Sequence, residues 1–362
     1  MERSRPLLPP LGKIDFDFFD KVIFPRLGAK DPNVLLGPRH GVDFGALRVG
    51  EHVLVFSSDP VFIQPSLGWE RAAWFALHIL ASDVAVSGIP PSHLTIDLNL
   101  PPEMNEDVLE IIWDTIHSEA AKLGIAIVGG HTARYAGCSY PMVGGATMFG
   151  VGRPEQLADP RNVRPGDLVL ITKGPAVETT GLMAVQFPEF IEKELGAAAV
   201  RQAQDVFYQM SVVKDARIAA ETDGVVAMHD ATECGVLGGL FEMAMAGNYG
   251  VRVNKERIVL QEIVRKTCAV FDIDPYKAIS EGTLIAIVRK ERAEAIVQAL
   301  QSAGIVSSLV GEVLPAEEGL TIVEAGVGRP LLHPRVDPFW TRFEEYLAMQ
   351  RQRQKQGVKA QG

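Results

Sequence analysis

The sequence predicts a two-domain α/β (α+β) protein, and three observations carry that prediction. Apolar runs of strand type alternate with segments of helical period from Val34 to Val313. Between Gly152 and Asp167 stand Pro154, Pro160, Pro165 and Gly166 with no apolar period, which marks a domain boundary. At 362 residues, 47% apolar and 22% charged, the chain is long enough for more than one core and has the composition of a soluble globular enzyme. The expected parts are an N-terminal arm and helix over 1–30, a first domain over 31–153, a second over 165–335, and a C-terminal helix and tail over 336–362.

Taken in order, Met1–Gly12 is Pro-rich and reads as a mobile arm, and Asp15–Ile23 as a short aromatic helix stopped before Pro25. Gly37, Gly41 and Gly45 surround Asp43 and would let backbone approach a ligand closely. Val53–Phe56 is a strand ending at Ser57-Ser58-Asp59-Pro60, where Pro60 keeps Asp59 extended. Trp69–Ser87 reads as a helix apolar nearly all round, hence buried, interrupted by Asp83. Leu94–Leu100 alternates apolar and polar residues, the pattern of a half-buried strand. A helix is expected from Pro101-Pro102 to Gly124, with Glu103, Glu106 and Asp107 in its first turn. The strand Ile125–Val128 then leads to Gly129-Gly130-His131-Thr132, and the apolar run Met142–Gly152 closes the first half.

In the second half, strand Leu168–Thr172 precedes two long helical patterns, Thr180–Lys193 and Ala197–Glu221. Strand Val225–Met228 delivers His229-Asp230-Ala231-Thr232-Glu233-Cys234-Gly235, which opens a helix whose N-terminus is a candidate anion site. Strands near Leu284–Val288 and Leu309–Val313 follow, and Tyr346–Gly362 reads as a fraying helix and tail.

Exclusions narrow the function. A net charge of −10 argues against nucleic-acid and anionic-membrane surfaces. Cys138, Cys234 and Cys268 are odd in number and lack CxxC spacing, which suits a reducing cytoplasm rather than a disulfide framework. No apolar run has the length of a membrane span. The sequence holds no GxxxxGK[ST], GxGxxG, GxSxG or HExxH motif. What remains is chemistry built on acids. A buried, ionised Asp83 needs a cation or donors, and with Asp59 it suggests a metal that escorts a phosphate. The plainer alternative is that Asp59 only ends a strand and Asp83 pairs with Arg71 or a distant Lys.

The ordered series Asp43, Asp59-Pro60, Ser82-Asp83, Gly129-Gly130-His131-Thr132, Arg164-Pro165-Gly166-Asp167, His229-Asp230-Ala231-Thr232 and Ser280-Glu281-Gly282-Thr283 resembles the aminoimidazole ribonucleotide synthetase (PurM-like) superfamily. That group includes thiamine-monophosphate kinase, selenophosphate synthetase and the hydrogenase maturation factor HypE. The resemblance spans about Gly12 to Val313 and is strongest toward HypE-like, AIR synthase-related proteins.

It implies a homodimer whose N-terminal domains share a β-barrel, with an α/β C-terminal domain closing over ATP and Mg²⁺. Asp43, Asp59 and Asp83 would be Mg²⁺–phosphate ligands; Gly129, Gly130, His131 and Thr132 would line the nucleotide. Asp230 would face the site from the second domain. Many relatives carry an acid where His131 stands, and its imidazole either donates to a phosphate or packs. Lys13 either folds over the phosphates, as in the glycine–lysine arm of relatives, or is a solvated lysine.

The implied function is ATP-dependent activation of an amide, carbamoyl or phosphate oxygen of a small acceptor by phosphoryl transfer. The alternatives are a thiamine-monophosphate-kinase-like phosphotransferase and a non-catalytic nucleotide-binding partner in a maturation complex. HypE carries its carbamoyl group on a C-terminal cysteine; this sequence ends Lys359-Ala360-Gln361-Gly362, so self-modification is not expected.

Overall fold

The computed structural model describes Lys13, Ile14 and residues 16–359, with side chains as far as Arg353. The expected arm Met1–Gly12, Asp15 and the last three residues lie outside the described residues. The chain opens with a short α1 (Phe16–Phe18), a π turn over Phe19–Ile23 and a 3₁₀ turn over Phe24–Arg26. The expected stop before Pro25 does not occur: a proline fits the first turn of the 3₁₀ segment, where its missing N–H has no partner to lose.

Six strands then form the first sheet. In chain order the elements are β1 (Val34–Leu36), β2 (Gly45–Val49), β3 (His52–Asp59), β4 (Phe62–Ile63), α2 (Trp69–Ala85), β5 (His93–Leu100), α3 (Glu106–Leu123), β6 (Ala126–Arg134), β7 (Met142–Val143) and β8 (Gly145–Gly152). The sheet order is β1-β2-β3-β8-β5-β6, and β4 and β7 pair separately. Only β5 and β6 run parallel within it. Helix α3 starts later than its prolines suggested, because Asn105 is extended at the N-cap and Met104 closes a turn on Pro101. Strand β6 runs on through the glycine pair, so Gly129–Thr132 is strand and not loop.

The second sheet is built from β9 (Leu168–Thr172), β10 (Val225–Asp230), β11 (Gly250–Asn254), β12 (Leu284–Val288), β13 (Ser307–Leu314), β14 (Leu320–Glu324) and β15 (Val327–Pro330). Its order is β10-β12-β9-β13-β11-β14-β15. The two long helical patterns resolve into α4 (Val177–Gln186), α5 (Pro188–Leu195), α6 (Ala197–Asp205) and α7 (Val213–Glu221). Pro188 cannot continue α4, and Phe187 before it leaves the helical region. Helices α8 (Gly235–Gly247), α9 (Glu262–Val270), α10 (Ala293–Ser302) and α11 (Pro338–Lys359) complete the fold. The start of α11 does not fray: Phe339, Phe343 and Tyr346 pack around Phe187, Phe190 and Phe271.

The layers follow from the burial pattern. Along β12, Leu284, Ala286 and Val288 join the large core shared with α2, while Ile285 and Ile287 join a second core under α8. The other face of the first sheet is open. Strand β5 buries Leu94, Ile96, Leu98 and Leu100 and turns Thr95, Asp97 and Asn99 outward, as its alternation predicts. Val128 and Val151 are more than half exposed on that sheet. No helix among the described residues is long and apolar enough to cross a membrane.

A buried carboxylate cluster as candidate active site

Four aspartates arrive from four different elements. Asp43 lies in the loop between β1 and β2, Asp59 ends β3, Asp83 is in the last turn of α2, and Asp230 ends β10. The loop carrying Asp43 is pressed onto α8: a Cβ on Gly41, at φ +73°, would lie 2.4 Å from the backbone of Glu242. The expectation that this glycine admits a ligand is therefore corrected, since the backbone it admits is the protein's own. The contact brings Asp43 Oδ2 to 2.7 Å from His229 Nδ1. His229 Nε2 faces Glu242 Oε2 at 3.8 Å, and Glu242 Oε1 lies 3.0 Å from His333 Nε2.

Asp83 is anchored by Ser57, whose hydroxyl donates to Oδ2 at 2.7 Å. It does not pair with Arg71, the partner considered from sequence; Arg71 Nε has no hydrogen-bond partner among the described residues. Ser57 reaches inward because β3 alternates: Ser58 turns to the open face and meets Thr147 at 2.7 Å. Asp230 is fully buried, and no N–H or hydroxyl among the described residues donates to its carboxylate oxygens; its neighbours are the carboxyl groups of Asp43 and Glu281. Glu281 Oε1 is likewise orphaned.

These acids disturb one another. Burial, then the charges of Asp230, Asp59 and Asp43, push Asp83 well above the usual carboxylate range. Burial and Asp43 raise Asp230 to about 7. Glu281 is pushed well up by burial and by Asp230, Glu178 and Asp83, and Glu178 rises to about 8, mainly through burial. Burial also raises Asp59, with Lys13 offsetting part of it. Asp43 goes the other way: burial opposes its charge, but His229 outweighs it and holds the carboxyl low. Burial works against a charged His229, yet Asp43 and Glu242 bring it up to about 9.

Lys13 supplies the cation. Its backbone N–H donates to both oxygens of Glu233 at 3.1 and 3.2 Å, and Nζ donates to Thr232 at 3.0 Å. Loss of hydration opposes its charge, but Glu242, Asp43, Glu233 and Asp83 prevail and raise its pKa.

Asp43, His229 and Asp230 offer ligand atoms within 4.8 Å of one another. His229 is a poor ligand, because a charged imidazole donates from both nitrogens. Of that group Asp43 and Asp230 remain, and Asp59 and Asp83 stand near enough for the charges to act on one another; carboxylate oxygens of this kind suit a hard divalent cation. The orphaned oxygens of Asp230 are what such an ion would satisfy.

The run Gly129–Thr132 is not part of this cluster. Gly130 and His131 line a groove of about 570 Å³ on the open face of the first sheet, with Asp59, Thr95, Asp97 and Thr147. Gly129 and Thr132 lie on the same strand outside that lining. Gly130 has a structural cause: at φ +148° its Cβ would lie 1.9 Å from the Ile96 carbonyl oxygen. His131 Nε2 sits 2.9 Å from the Tyr135 hydroxyl. Asp59 is common to groove and cluster.

The predicted anion site at the start of α8 is already filled. The Asp337 carboxylate accepts from the Cys234 N–H at 2.7 Å and from Phe339 N–H at 2.8 Å. Sequence reasoning also missed His229, Glu242 and Glu281 as site residues. The signal for Glu281 was present: like Asp230 it stands beside an unbroken apolar strand, and antiparallel pairing of Asp230 with Leu284 puts both acids at one sheet edge.

The family descriptions "AIR synthase related protein, N-terminal domain" and "AIR synthase related protein, C-terminal domain" match residues 41–152 and 164–323. A hydrogenase expression/formation protein of Methanocaldococcus jannaschii is 25% identical over 90% of this chain and 96% of its own length. Carbamoyl dehydratase HypE of Escherichia coli is 25% identical over 79% of this chain and 83% of its own. A crystal structure of HypE in complex with ATP superposes with a TM-score of 0.64 at 22% identity, covering 88% of this chain and 93% of that one.

Proposed function

Because the chain belongs to the AIR synthase related protein family through both of its halves, we propose that it is an ATP- and Mg²⁺-dependent enzyme activating an oxygen of a small acceptor by phosphoryl transfer. The observation that carries this reading is the ligand-sized approach of Asp43 and buried Asp230, whose oxygens no donor satisfies among the described residues, with the charges of Asp59 and Asp83 acting on the same cleft. Neighbouring carboxylates in a largely buried cleft repel one another, and a nucleotide-bound divalent cation removes that repulsion.

Mg²⁺ held by these four aspartates would neutralise the charge that spreads over a transferring phosphoryl group. The chain's own residues do the rest. His229 keeps Asp43 ionised and oriented, and Ser57 fixes Asp83. Lys13, already drawn in by Thr232 and Glu233, adds a positive charge beside the acids. Glu281, with its raised pKa and orphaned oxygen, is placed to hold or accept an acceptor proton.

The groove with Gly130 and His131 would take the nucleotide, flanked by Gly129 and Thr132. Its exposed face, with Val128 and Val151, would be covered by a second copy of the chain. The acceptor is neither Cys234 nor Cys268. Burial pushes Cys234 and Cys268 to about 12, so neither forms a useful thiolate.

Calorimetry tests the reading. ATP should bind with magnesium present and lose most of its affinity in EDTA or in Asp83→Asn. Equal affinity with and without metal would sink it.

A further inference from the structure

The described N-terminal residues are held at the cleft by the segment that leads into α11, and not by the first sheet alone. The Phe16 ring lies 4.2 Å from the ring of His40 and 4.9 Å from that of His333. The Arg335 guanidinium sits 5.2 Å over the same Phe16 ring. His333 is fixed at both nitrogens. Its Nδ1 accepts from the Arg335 N–H at 3.0 Å, so the proton is on Nε2, which donates to Glu242 at 3.0 Å. Its ring is further packed by Phe241 at 5.6 Å. Its side chain is 6% exposed.

We propose that His333 is a positioning residue for Lys13, holding Phe16 at the mouth of the cleft and so setting where the Lys13 ammonium stands among the acids. The physical case rests on chain length and entropy. Lys13 has a long, flexible stem, and among the described residues its hydrogen bonds go to Glu233 and Thr232. Three residues on, Phe16 is pinned by two rings and a guanidinium, which turns a wandering cation into one restrained near its targets. His333 does this without touching the acids that would hold the metal: it reaches His229 only by way of Glu242. The imidazole thus links two contacts, Phe16 on its face and Glu242 at its edge.

The proposal adds to the proposed ATP reaction, and its main test does not depend on that reaction. Trypsin cleaves after Lys13 only when the arm leaves its dock, so the rate of release of the peptide ending at Lys13 measures docking. His333→Ala and Phe16→Ala should each speed that release by about tenfold, with the global melting temperature little changed. The double variant should be no faster than either single one, because both remove the same contact. His333→Phe, which keeps the ring but loses Glu242, should retain most of the protection.

Additive effects in the double variant, or unchanged release in Phe16→Ala, overturn the proposal. Should His333→Ala not fold, Phe16→Ala and His333→Phe still decide it. As a second readout, magnesium-dependent ATP turnover in Phe16→Ala should lose kcat more than it gains KM. Absence of any turnover in the unaltered protein would reject the enzymatic reading while leaving the docking result to stand.

Discussion

The carboxylate cluster and the strand β6 motif answer the same sequence signal, small or acidic residues where core is expected, in opposite ways. In the cluster, Asp83 and Asp230 are buried and Asp230 lacks donors among the described residues, so their chemistry is incomplete without a cation. On β6, Gly129–Thr132 is exposed throughout, and Gly130 is explained by the Ile96 carbonyl against which it packs. One motif is short of a ligand, the other of a cover. Acids forced together inside point to chemistry. A bare strand at a sheet edge points to another polypeptide.

The largest effect should come from the cluster. Asp230→Asn should lower magnesium-dependent ATP turnover on the order of 10²–10³-fold, the scale of losing one preorganised charge-stabilising group. Gly129→Ala, whose added Cβ would meet only Thr95 Cγ2 at 3.5 Å, should leave it within a few-fold. Comparable losses in the two variants would erase the contrast.

Next, the open face should fail as an interface when charged. Val151→Asp, on a residue 52% exposed in this structure, should convert a dimer to a monomer in light scattering at micromolar concentration. An unchanged dimer would move the interface elsewhere.

Gly130→Ala should then destabilise the fold by about 1–3 kcal/mol without altering the acids, since a Cβ cannot occupy the space of the Ile96 carbonyl. Chemical denaturation of Gly129→Ala and Gly130→Ala side by side would sharpen the point, and equal midpoints would remove it.

The smallest effect concerns pH. Glu178 and Asp337 have folded-state pKa values of about 8 and about 7, raised above the ordinary range chiefly by burial. Their protonated forms favour the fold. That stability is fully present below the ordinary carboxylate pKa of about 4 and is lost as pH rises through about 7 and 8. The metal-free protein should melt a few degrees lower at about pH 9 than at about pH 6, and Glu178→Gln should flatten the decline. A melting temperature that climbs over this range would contradict the assignment.

Much of this was legible in the sequence because it depends on local pattern. The strand Leu168–Thr172 was read with its observed bounds, and β5 and β12 nearly so, since period and apolar runs report burial directly. The charges of Asp43, Asp59, Asp83, Asp230 and Lys13, each singled out from the sequence, act on one another in the structure. What was hidden depends on contacts across the chain. His229 reads as the end of a strand until Gly41 presses Asp43 onto it. Ser57 differs from Ser58 only by which face of β3 it takes. The breaks at Phe187 and after Asp205 were lost inside apolar periods that ran through them. The helix start at Gly235 looked like a phosphate cradle because no local rule announces a carboxylate arriving a hundred positions later.

That carboxylate has a consequence for how the protein comes into being. Lys13 binds Glu233 and Asp337 caps the amide of Cys234, so segments far apart in the sequence meet on adjacent residues. A ribosome delivers Lys13 long before Asp337. Until then the amide of Cys234 lacks its carboxylate cap, and Phe16 has no His333 to rest on. The cleft therefore matures only after Asp337 has been made, and a chain interrupted before residue 331 would carry every aspartate of the site and still lack that wall.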